Sequence, residues 1–248
     1  DLTLANLDSD LIIWPEAAIP AFYSRVLDFL SVMSQDIKTT EASLLLGIPR
    51  HEDGRFYNSM VALGGEEPTF YDKRHLVPFG EYFPVPKFVR EWMRLRNLPY
   101  SDYQSGESAQ PPLQIAGQNI AVTICYEDVF GEEQLEHAED VTLLVNVSND
   151  AWFGDSIAPH QHLQIARMRA MEVRRFLLRT TNTGISAIIS PGGVVADTIP
   201  QFKTAVLNGR VQGRQGVTPY ASWGNWFIVV LSLVVLLTLG VLHRLKPS

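Results

Sequence analysis

Residues 120–128 have the sequence IAVTICYED, an apolar run that ends at a cysteine followed by a tyrosine and two acids. This run predicts a buried strand with Cys125 at its carboxyl end, where open α/β sheets present ligands and nucleophiles. Cys125 is the single cysteine, so the chain forms no internal disulfide and no multi-cysteine metal site. A lone cysteine is commonly a small buried hydrophobe. The polar residues that follow this one favour a reactive thiol.

Other apolar runs along the chain also have the pattern of strands, and they alternate with helical patterns. Apolar residues spaced by three and four predict helices over 19–37 and 158–178. Adjacent strand patterns with no helix between them, at 43–63 and 176–190, favour antiparallel pairing. We therefore predict an α/β or layered α+β fold. The predicted strands are Leu11–Trp14, Ser43–Pro49, Asn58–Leu63, Ile120–Cys125, Thr142–Val147, Ile185–Ser190 and Ala205–Val211.

Composition excludes two broad classes of protein. The 248 residues, 46% of them hydrophobic and 10% aromatic, are enough to build a packed core, so the chain is not disordered. A net charge of -7 has the wrong sign for neutralising nucleic-acid phosphates, so we expect no nucleic-acid partner. The charged fraction of 19% is below that of typical soluble domains, mainly because of the C-terminal residues.

Residues 223–242, WGNWFIVVLSLVVLLTLGVL, contain no charged side chain. As a helix rising about 1.5 Å per residue, this segment would cross a hydrocarbon core of about 30 Å. Trp223 and Trp226 at one end suit the headgroup level, and the basic residues at the other end favour the cytoplasmic side. The alternative is a buried helix of a soluble core. We predict a globular domain over 1–220, a transmembrane helix over 221–243 and a basic cytoplasmic tail over 244–248.

The N-terminal residues indicate that more chain lies upstream. The sequence opens with Asp1 and enters an apolar strand by residue 11, with no signal peptide. A domain on the outer side of a membrane needs an upstream segment that exports it. We therefore expect this chain to be the C-terminal part of a longer protein.

The proline-rich segment, residues 75–103, fits neither a helix nor a strand. Its four prolines break any long helix. It also carries many large apolar side chains: Phe79, Phe83, Phe88, Trp92 and Met93. Two interpretations stay open. The segment either folds back on the core, or forms a lid that touches lipid, because arginines lie among its apolar residues as they do in interfacial segments.

Two residues elsewhere in the chain could activate Cys125. Glu16 follows LIIWP at a predicted strand end, where an apolar neighbourhood suits a general base. Glu16 fits equally well as an acid in the first turn of a helix. Lys73, within FYDKRHLVPFGEYF, offers a cation for a thiolate and for a developing oxyanion. The alternative for Lys73 is a solvated side chain.

Three segments in fixed order resemble the motifs of the nitrilase, or carbon-nitrogen hydrolase, superfamily. They are WPE at 14–16, YDKRHLVPFGEYFP at 71–84 and CYEDVF at 125–130. The similarity continues in NVSNDAWFG at 146–154, RAMEVRRF at 169–176, NTGISAIISPGG at 182–193 and VTPYASWGNW at 217–226. The last motif runs directly into the apolar C-terminal segment. Within the superfamily, the chain therefore resembles the apolipoprotein N-acyltransferases over essentially its whole length.

This resemblance implies a nitrilase-like αββα sandwich and an enzyme with a Glu-Lys-Cys constellation. Glu16 is implied as the general base, Lys73 as the oxyanion-stabilising cation and Cys125 as the nucleophile. The resemblance also implies supporting residues, which are Glu81, Tyr126 and Glu127. It further implies residues that line the site or the lid, which are Phe79, Phe83, Trp92 and Trp152. The chain departs from the family pattern at its start, because the family has a strand, a helix and several membrane helices before its first glutamate.

The implied reaction moves a fatty acyl chain from a phospholipid, through a cysteine thioester, to the N-terminal amine of diacylglyceryl-cysteine in an apolipoprotein. This is the last step of bacterial lipoprotein maturation. The implied setting is the inner membrane, with the full-length protein multi-pass and its catalytic domain periplasmic. The implied partners are a phospholipid donor, an apolipoprotein acceptor and the bilayer, and the implied state is a monomer without cofactor or metal.

Two other functions stay open. A membrane-tethered nitrilase-type amidase would use the same three residues on a small amide. A membrane-anchored scaffold without activity would lack at least one of Glu16, Lys73 and Cys125, all of which are present.

Overall fold

The structure is a computed structural model that describes residues 2–86, 88–89, 92, 95 and 102–245. Within these residues, the first sheet has four strands in the order β1-β2-β3-β4. They are Leu11–Ile13, Ser43–Glu52, Arg55–Leu63 and Thr69–Asp72. Strand β1 runs parallel to β2, and the other two pairs are antiparallel.

The second sheet has six strands in the order β10-β9-β8-β7-β6-β5. They are β5 (Leu113–Ile115), β6 (Gln118–Ile124), β7 (Leu143–Ser148), β8 (Leu177–Thr181), β9 (Ser186–Ile189) and β10 (Val195–Ile199). The central strands β6, β7 and β8 are parallel, and antiparallel strands flank them. Strand β7 is buried along its whole length, as expected of a central strand covered on both faces.

Two helices cover the outer faces of the sheets, α1 (Leu27–Lys38) and α2 (Ala158–Val173). Two further helices follow near the C-terminus, α3 (Pro219–Trp223) and α4 (Trp226–Leu245). Helix α1 packs on the first sheet, where Leu30 contributes to a cluster with Leu44. Helix α2 packs on the second sheet, where Ala166 joins a cluster with Leu144.

A third apolar cluster fills the space between the sheets, with Leu45 and Met60 from one sheet and Val122 and Val145 from the other. The order of layers is therefore helix, sheet, sheet, helix. This confirms the predicted layered mixture of helices and strands. The residues that follow the carboxyl ends of β1 and β7 lie close together, since Asn149 N, after β7, donates to Glu16, after β1.

Several predicted element bounds are wrong. The helix predicted over 158–178 ends at Val173, because Arg174 takes a left-handed conformation with φ 54°, and the chain then enters β8. The helix predicted over 19–37 begins only at Leu27, after a short 3-10 turn at Tyr23–Arg25. The segment Ala205–Val211, predicted as a strand, belongs to no strand in the structure, and Val195–Ile199 occupies the sheet edge instead.

The described side chains of the C-terminal helix α4 are exposed, and the large apolar ones among them run from 43% to 74% exposed. Among the helices in the described part of the chain, none combines the length and the hydropathy that a membrane span requires. Residues 246–248 of the predicted basic tail lie outside the described residues, as do Met93 and the arginines at 90, 94 and 96.

Candidate active site

Glu16 lies just beyond β1, where the chain turns at Ala17 with a left-handed φ of 48°. The turn sits directly on β2, and a Cβ added at Gly47 would lie 2.7 Å from Glu16 Cα. A side chain at position 47 would therefore push Glu16 out of place. Backbone and side-chain donors then fix the residue, since Asn149 N donates to Glu16 Oε2 at 2.7 Å and Asn182 Nδ2 donates to its carbonyl at 2.9 Å.

Lys73 follows β4 and brings two glutamates together in the interior. Its side chain is 1% exposed, and its Nζ lies 3.0 Å from a carboxylate oxygen of Glu81 and 3.5 Å from Glu16 Oε1. Asn58 bridges the same pair, because its Nδ2 donates at 2.7 Å to Glu16 Oε1 and at 2.7 Å to Glu81 Oε1. The structure thus places Glu16, Lys73 and Glu81 in one hydrogen-bonded cluster.

The carboxylates of this cluster keep Lys73 charged. Burial by itself would lower the pKa of Lys73, but the carboxylates of Glu16 and Glu81 outweigh it and raise the pKa above its ordinary value. Lys73 therefore stays an ammonium. The cluster thus sets two carboxylates against one ammonium.

Cys125 lies at the carboxyl end of β6, where a 3-10 turn over Cys125–Val129 begins. Its backbone is left-handed, with φ 53°. Such a conformation costs a non-glycine residue about 1–2 kcal/mol, so the surrounding contacts must hold it. The side chain of Cys125 packs against the apolar cluster between the two sheets.

The thiol of Cys125 interacts electrostatically with both Glu16 and Lys73. Burial, followed by the carboxylate of Glu16, raises the pKa of the Cys125 thiol to about 11, while Lys73 and the Ser148 hydroxyl partly offset the rise. At neutral pH the sulfur therefore carries its proton. A nucleophilic attack by this sulfur needs a base that removes the proton during the step.

Glu127 connects the cysteine turn to the loop that carries Lys73. The carboxylate is 3% exposed and accepts four hydrogen bonds. Oε1 accepts from the backbone of Arg74 at 2.5 Å and of His75 at 3.2 Å. Oε2 accepts from Ile124 N at 2.7 Å and from Tyr71 Oη at 3.0 Å. Burial raises the pKa of Glu127, and the backbone donors oppose the rise.

The predicted aromatic residues lie at the surface around this site. Tyr126 is 37% exposed and packs edge-to-face on Phe130, which stacks on His75. Trp152 follows β7 in a short 3-10 turn and is the most exposed of the predicted site residues at 85%. In the proline-rich segment, Phe79 and Trp92 are exposed, and Phe83 is partly buried with its ring edge-on to that of Phe79.

Sequence reasoning missed the amides that hold the site. Asn58 lies in β3 just before the apolar run Met60–Leu63 and is 8% exposed, and a polar residue at the start of a predicted buried strand is a signal that could have identified it. Asn149 and Asn182 lie inside the motifs at 146–154 and 182–193, but their hydrogen bonds to Glu16 depend on tertiary contacts.

In the described part of the chain, no three His, Cys, Asp or Glu side chains are placed to share a metal ion.

The arrangement supplies three chemical functions at one place. A thiol lies at a strained turn, a carboxylate is available as proton acceptor, and a buried ammonium can stabilise negative charge on an oxygen. This combination suits attack on a carbonyl carbon and formation of a thioester.

Comparison with known proteins agrees with this chemistry. The carbon-nitrogen hydrolase family matches residues 3–220. An apolipoprotein N-acyltransferase of Methylococcus capsulatus is 46% identical over 229 residues, covering 91% of this chain and 45% of that protein. The apolipoprotein N-acyltransferase of Nitrosomonas europaea is 44% identical over 232 residues, covering 92% and 47%. The chain thus spans about half the length of the curated relatives it matches.

Two solved structures share the fold. XC1258 of Xanthomonas campestris, a CN-hydrolase superfamily protein with an arsenic adduct in its active site, has a TM-score of 0.59 at 19% identity and covers 82% of this chain and 79% of its own. The C. elegans NitFhit protein has a TM-score of 0.62 at 15% identity and covers 80% and 52%. At such identities the likeness concerns the fold alone, which is the predicted nitrilase-like one.

Proposed function

The chain belongs to the carbon-nitrogen hydrolase family, and we propose that it is the catalytic part of an apolipoprotein N-acyltransferase. The observation that carries the proposal is the buried cluster of Glu16, Lys73 and Glu81, with the thiol of Cys125 coupled to it. The names of the relatives at 44–46% identity support the choice of acyl transfer over other reactions of the family.

In the first half-reaction, the sulfur of Cys125 attacks the carbonyl carbon of a phospholipid acyl ester. Glu16 takes the thiol proton as the C–S bond forms, and Lys73 stabilises the oxyanion. The bond between the carbonyl carbon and the glycerol oxygen then breaks. The proton on Glu16 passes to that oxygen, which leaves as the hydroxyl of a lysophospholipid, and the acyl chain stays on Cys125 as a thioester.

In the second half-reaction, the free α-amine of diacylglyceryl-cysteine attacks the thioester carbon. Glu16 takes a proton from the attacking nitrogen, the C–S bond breaks, and the proton returns to the sulfur of Cys125. The product is an amide on the acceptor and a free thiol on the enzyme. No cofactor enters this cycle.

We assign Glu81 and Glu127 to support of the site. Glu81 contacts the Lys73 ammonium and Asn58, so it holds the cation that faces the oxyanion. Glu127 holds the backbone on both sides of the site and contacts no exposed group. Tyr126 and Trp152 are exposed, which suits contact with the acyl chains of a substrate.

The proposal places the substrates in a bilayer and the protein beside them. Helix α4 supports it, because its large apolar side chains are exposed and its sequence from 223 to 242 carries no charge. We propose a catalytic domain over 1–220, a membrane helix over 221–243 and a cytoplasmic tail over 244–248. The complete protein would be a multi-pass monomer of the bacterial inner membrane with a periplasmic catalytic domain. The exposed Phe79 and Trp92 would then meet lipid.

A membrane-tethered amidase is the second candidate, because the same three residues would hydrolyse a small amide. The two functions differ in the acceptor, and a product assay separates them. The complete protein in detergent micelles is incubated with a phospholipid and a peptide that starts with diacylglyceryl-cysteine. We expect the peptide to gain the mass of one fatty acyl chain, with an equal amount of lysophospholipid.

A matched pair of variants shows whether the site is responsible. Glu16→Gln should abolish both products, because the proton acceptor is lost while the shape is kept. Glu139→Gln makes the same change at an exposed position and should leave both products unchanged. A protein that hydrolyses a small amide but adds no acyl chain to the peptide would contradict the acyltransferase proposal in favour of the amidase.

A further inference from the structure

A second group of buried ionisable side chains lies behind Cys125, and the proposed reaction does not use it. Its members are each 8% exposed or less and come from four separate elements, and we call them the charge network: Asp128, Asp150, His162 and Arg179. Burying four ionisable groups in a small domain is costly unless they are paired and hydrogen-bonded.

His162 of helix α2 is the centre of the charge network. Its Nδ1 lies 3.2 Å from Asp150 Oδ1, and its Nε2 lies 3.0 Å from Asp128 Oδ1. Since each ring nitrogen faces a carboxylate, both must carry a hydrogen, and the ring is an imidazolium. Burial alone would lower the pKa of His162, but the hydrogen bonds to the two aspartates raise it to about 9.

Arg179 of β8 completes the charge balance. Its Nη2 donates to Asp150 Oδ2 at 3.0 Å, and its Nη1 lies 3.9 Å from Asp128 Oδ2. Two positive and two negative groups make the charge network neutral as a whole. Removing any single member would leave an uncompensated charge in the interior next to the cysteine turn.

The charge network contacts Cys125 from two sides. His162 Nε2 lies 3.1 Å from the carbonyl oxygen of Cys125, the residue with the left-handed backbone. On the other side, Ser148 Oγ donates to Asp150 Oδ1 at 2.6 Å, and the Ser148 hydroxyl also interacts with the thiol. The backbone and the sulfur of Cys125 are therefore both within reach of the charge network.

We propose that the charge network is a positioning device that holds the strained backbone of Cys125 and, by its neutrality, sets how readily the thiol ionises. None of its members touches the substrate in this account, so they are positioning residues. The inference rests on the proposed function only in taking Cys125 as the nucleophile.

Two substitutions with opposite electrostatic effects test the proposal. His162→Gln removes a positive charge, which should disfavour the thiolate and slow alkylation of Cys125 at pH 7 by about tenfold, the effect of one pKa unit. Asp150→Asn removes a negative charge and should speed alkylation by a similar factor. The rate is measured with N-ethylmaleimide by intact mass on the complete protein, after circular dichroism has shown each variant to be folded.

His160→Gln is the matched control, because it makes the same change at an exposed position two residues away on α2. It should react at the wild-type rate. A purely structural role predicts changes of the same sign in both network variants, so an Asp150→Asn protein that reacts no faster than wild type would overturn the proposal. If His162→Gln does not fold, Asp150→Asn decides alone. Because the assay needs neither phospholipid nor amine, its failure is distinct from failure of the acyltransferase proposal.

Discussion

At the residue scale, Glu127 shows how two distant sequence motifs become one site. Its carboxylate accepts from Arg74 N and His75 N, next to Lys73, and from Ile124 N, next to Cys125. The relative placement of the ammonium and the thiol therefore depends on one buried side chain that touches neither of them.

We expect Glu127→Gln to weaken both stability and activity. Each carboxylate oxygen accepts from two N–H or O–H donors, so an amide in either orientation sets its NH2 group against a donor. One unsatisfied pair costs about 1–3 kcal/mol. Urea unfolding measures this loss, and Glu139→Gln, which is exposed, serves as control. An unchanged unfolding free energy would show that Glu127 does not hold the two motifs together.

The charge network also predicts how stability depends on pH. The groups that face His162 are the carboxylates of Asp128 and Asp150, the guanidinium of Arg179 and the Cys125 carbonyl. The pKa of His162 in the fold, about 9, is higher than the ordinary unfolded value of 6.5. A raised pKa contributes stability that is complete below pH 6.5 and is lost as pH rises through 9.

The difference in unfolding free energy between wild type and His162→Gln should therefore shrink between pH 6 and pH 9.5, by about 3 kcal/mol at 1.36 kcal/mol per unit. Denaturant unfolding across this range measures it, with His160→Gln expected to give a flat difference. A difference that grows with pH would mean that His162 is neutral in the fold.

The sequence singled out the candidate site residues, but it did not single out the buried charged residues that pack behind them. Glu16 and Cys125 each follow an apolar run, and the motifs of these two residues and of Lys73 resemble those of a known family. His162 and Arg179 carried no such signal, because their burial depends on packing between α2 and the second sheet. Arg179 lies in β8, inside the adjacent strand patterns at 176–190, but a strand pattern does not show which side chain becomes buried.

At the element scale, the hydrophobic pattern predicted the central strands. It failed at segments whose secondary structure depends on tertiary contacts. Strands β2, β3, β6 and β7 overlap their predicted ranges because most residues of their apolar runs are buried. Residues 19–26 keep helical spacing, but their aromatic side chains pack individually, with Tyr23 edge-on to Phe70. Residues 205–211 have β-branched residues without a pairing partner. Hydrophobic periodicity does not show that residues 19–26 stay outside a helix or that residues 205–211 find no partner strand.

The proline-rich segment provides a prediction about an element. Phe79 is 67% exposed, so Phe79→Ser should change the unfolding free energy by no more than about 0.5 kcal/mol. If the segment meets lipid, the same variant should use phospholipid less well. Phe29→Ser, at a half-exposed position on α1, is the control for loss of an exposed ring. A large loss of stability with normal turnover would show instead that the segment belongs to the core.

At the scale of the whole molecule, the two stacked sheets make a rigid frame whose interior edge carries the site, and the exposed helix α4 extends from it. Apolar surface of this extent calls for an apolar environment. The motif at 217–226 runs directly into α4, which begins at Trp226. The proposed membrane helix therefore follows directly on the last of the family-like motifs.

Helix α4 can be tested with a single charge. Leu236→Arg places a cation at a residue that is 65% exposed near the middle of the helix. At a bilayer centre this costs about 2.5–3.5 kcal/mol, so less of the 248-residue chain, tested without any further membrane segment, should float with phospholipid vesicles in a density gradient. Val194→Arg, at an exposed position in the catalytic part, should float like wild type. Equal flotation of both variants would contradict a membrane position for α4.

The most direct test of the central claim is the mass of Cys125 after the complete protein has met phospholipid without an acceptor. We expect one fatty acyl group on that residue, removable by hydroxylamine as a thioester is, and lost in Cys125→Ser and Glu16→Gln. Lys73→Ala should slow the loading by about 10²–10³, the usual effect of removing one oxyanion stabiliser. A protein that transfers acyl chains while Cys125 stays unmodified at every time sampled would contradict the account.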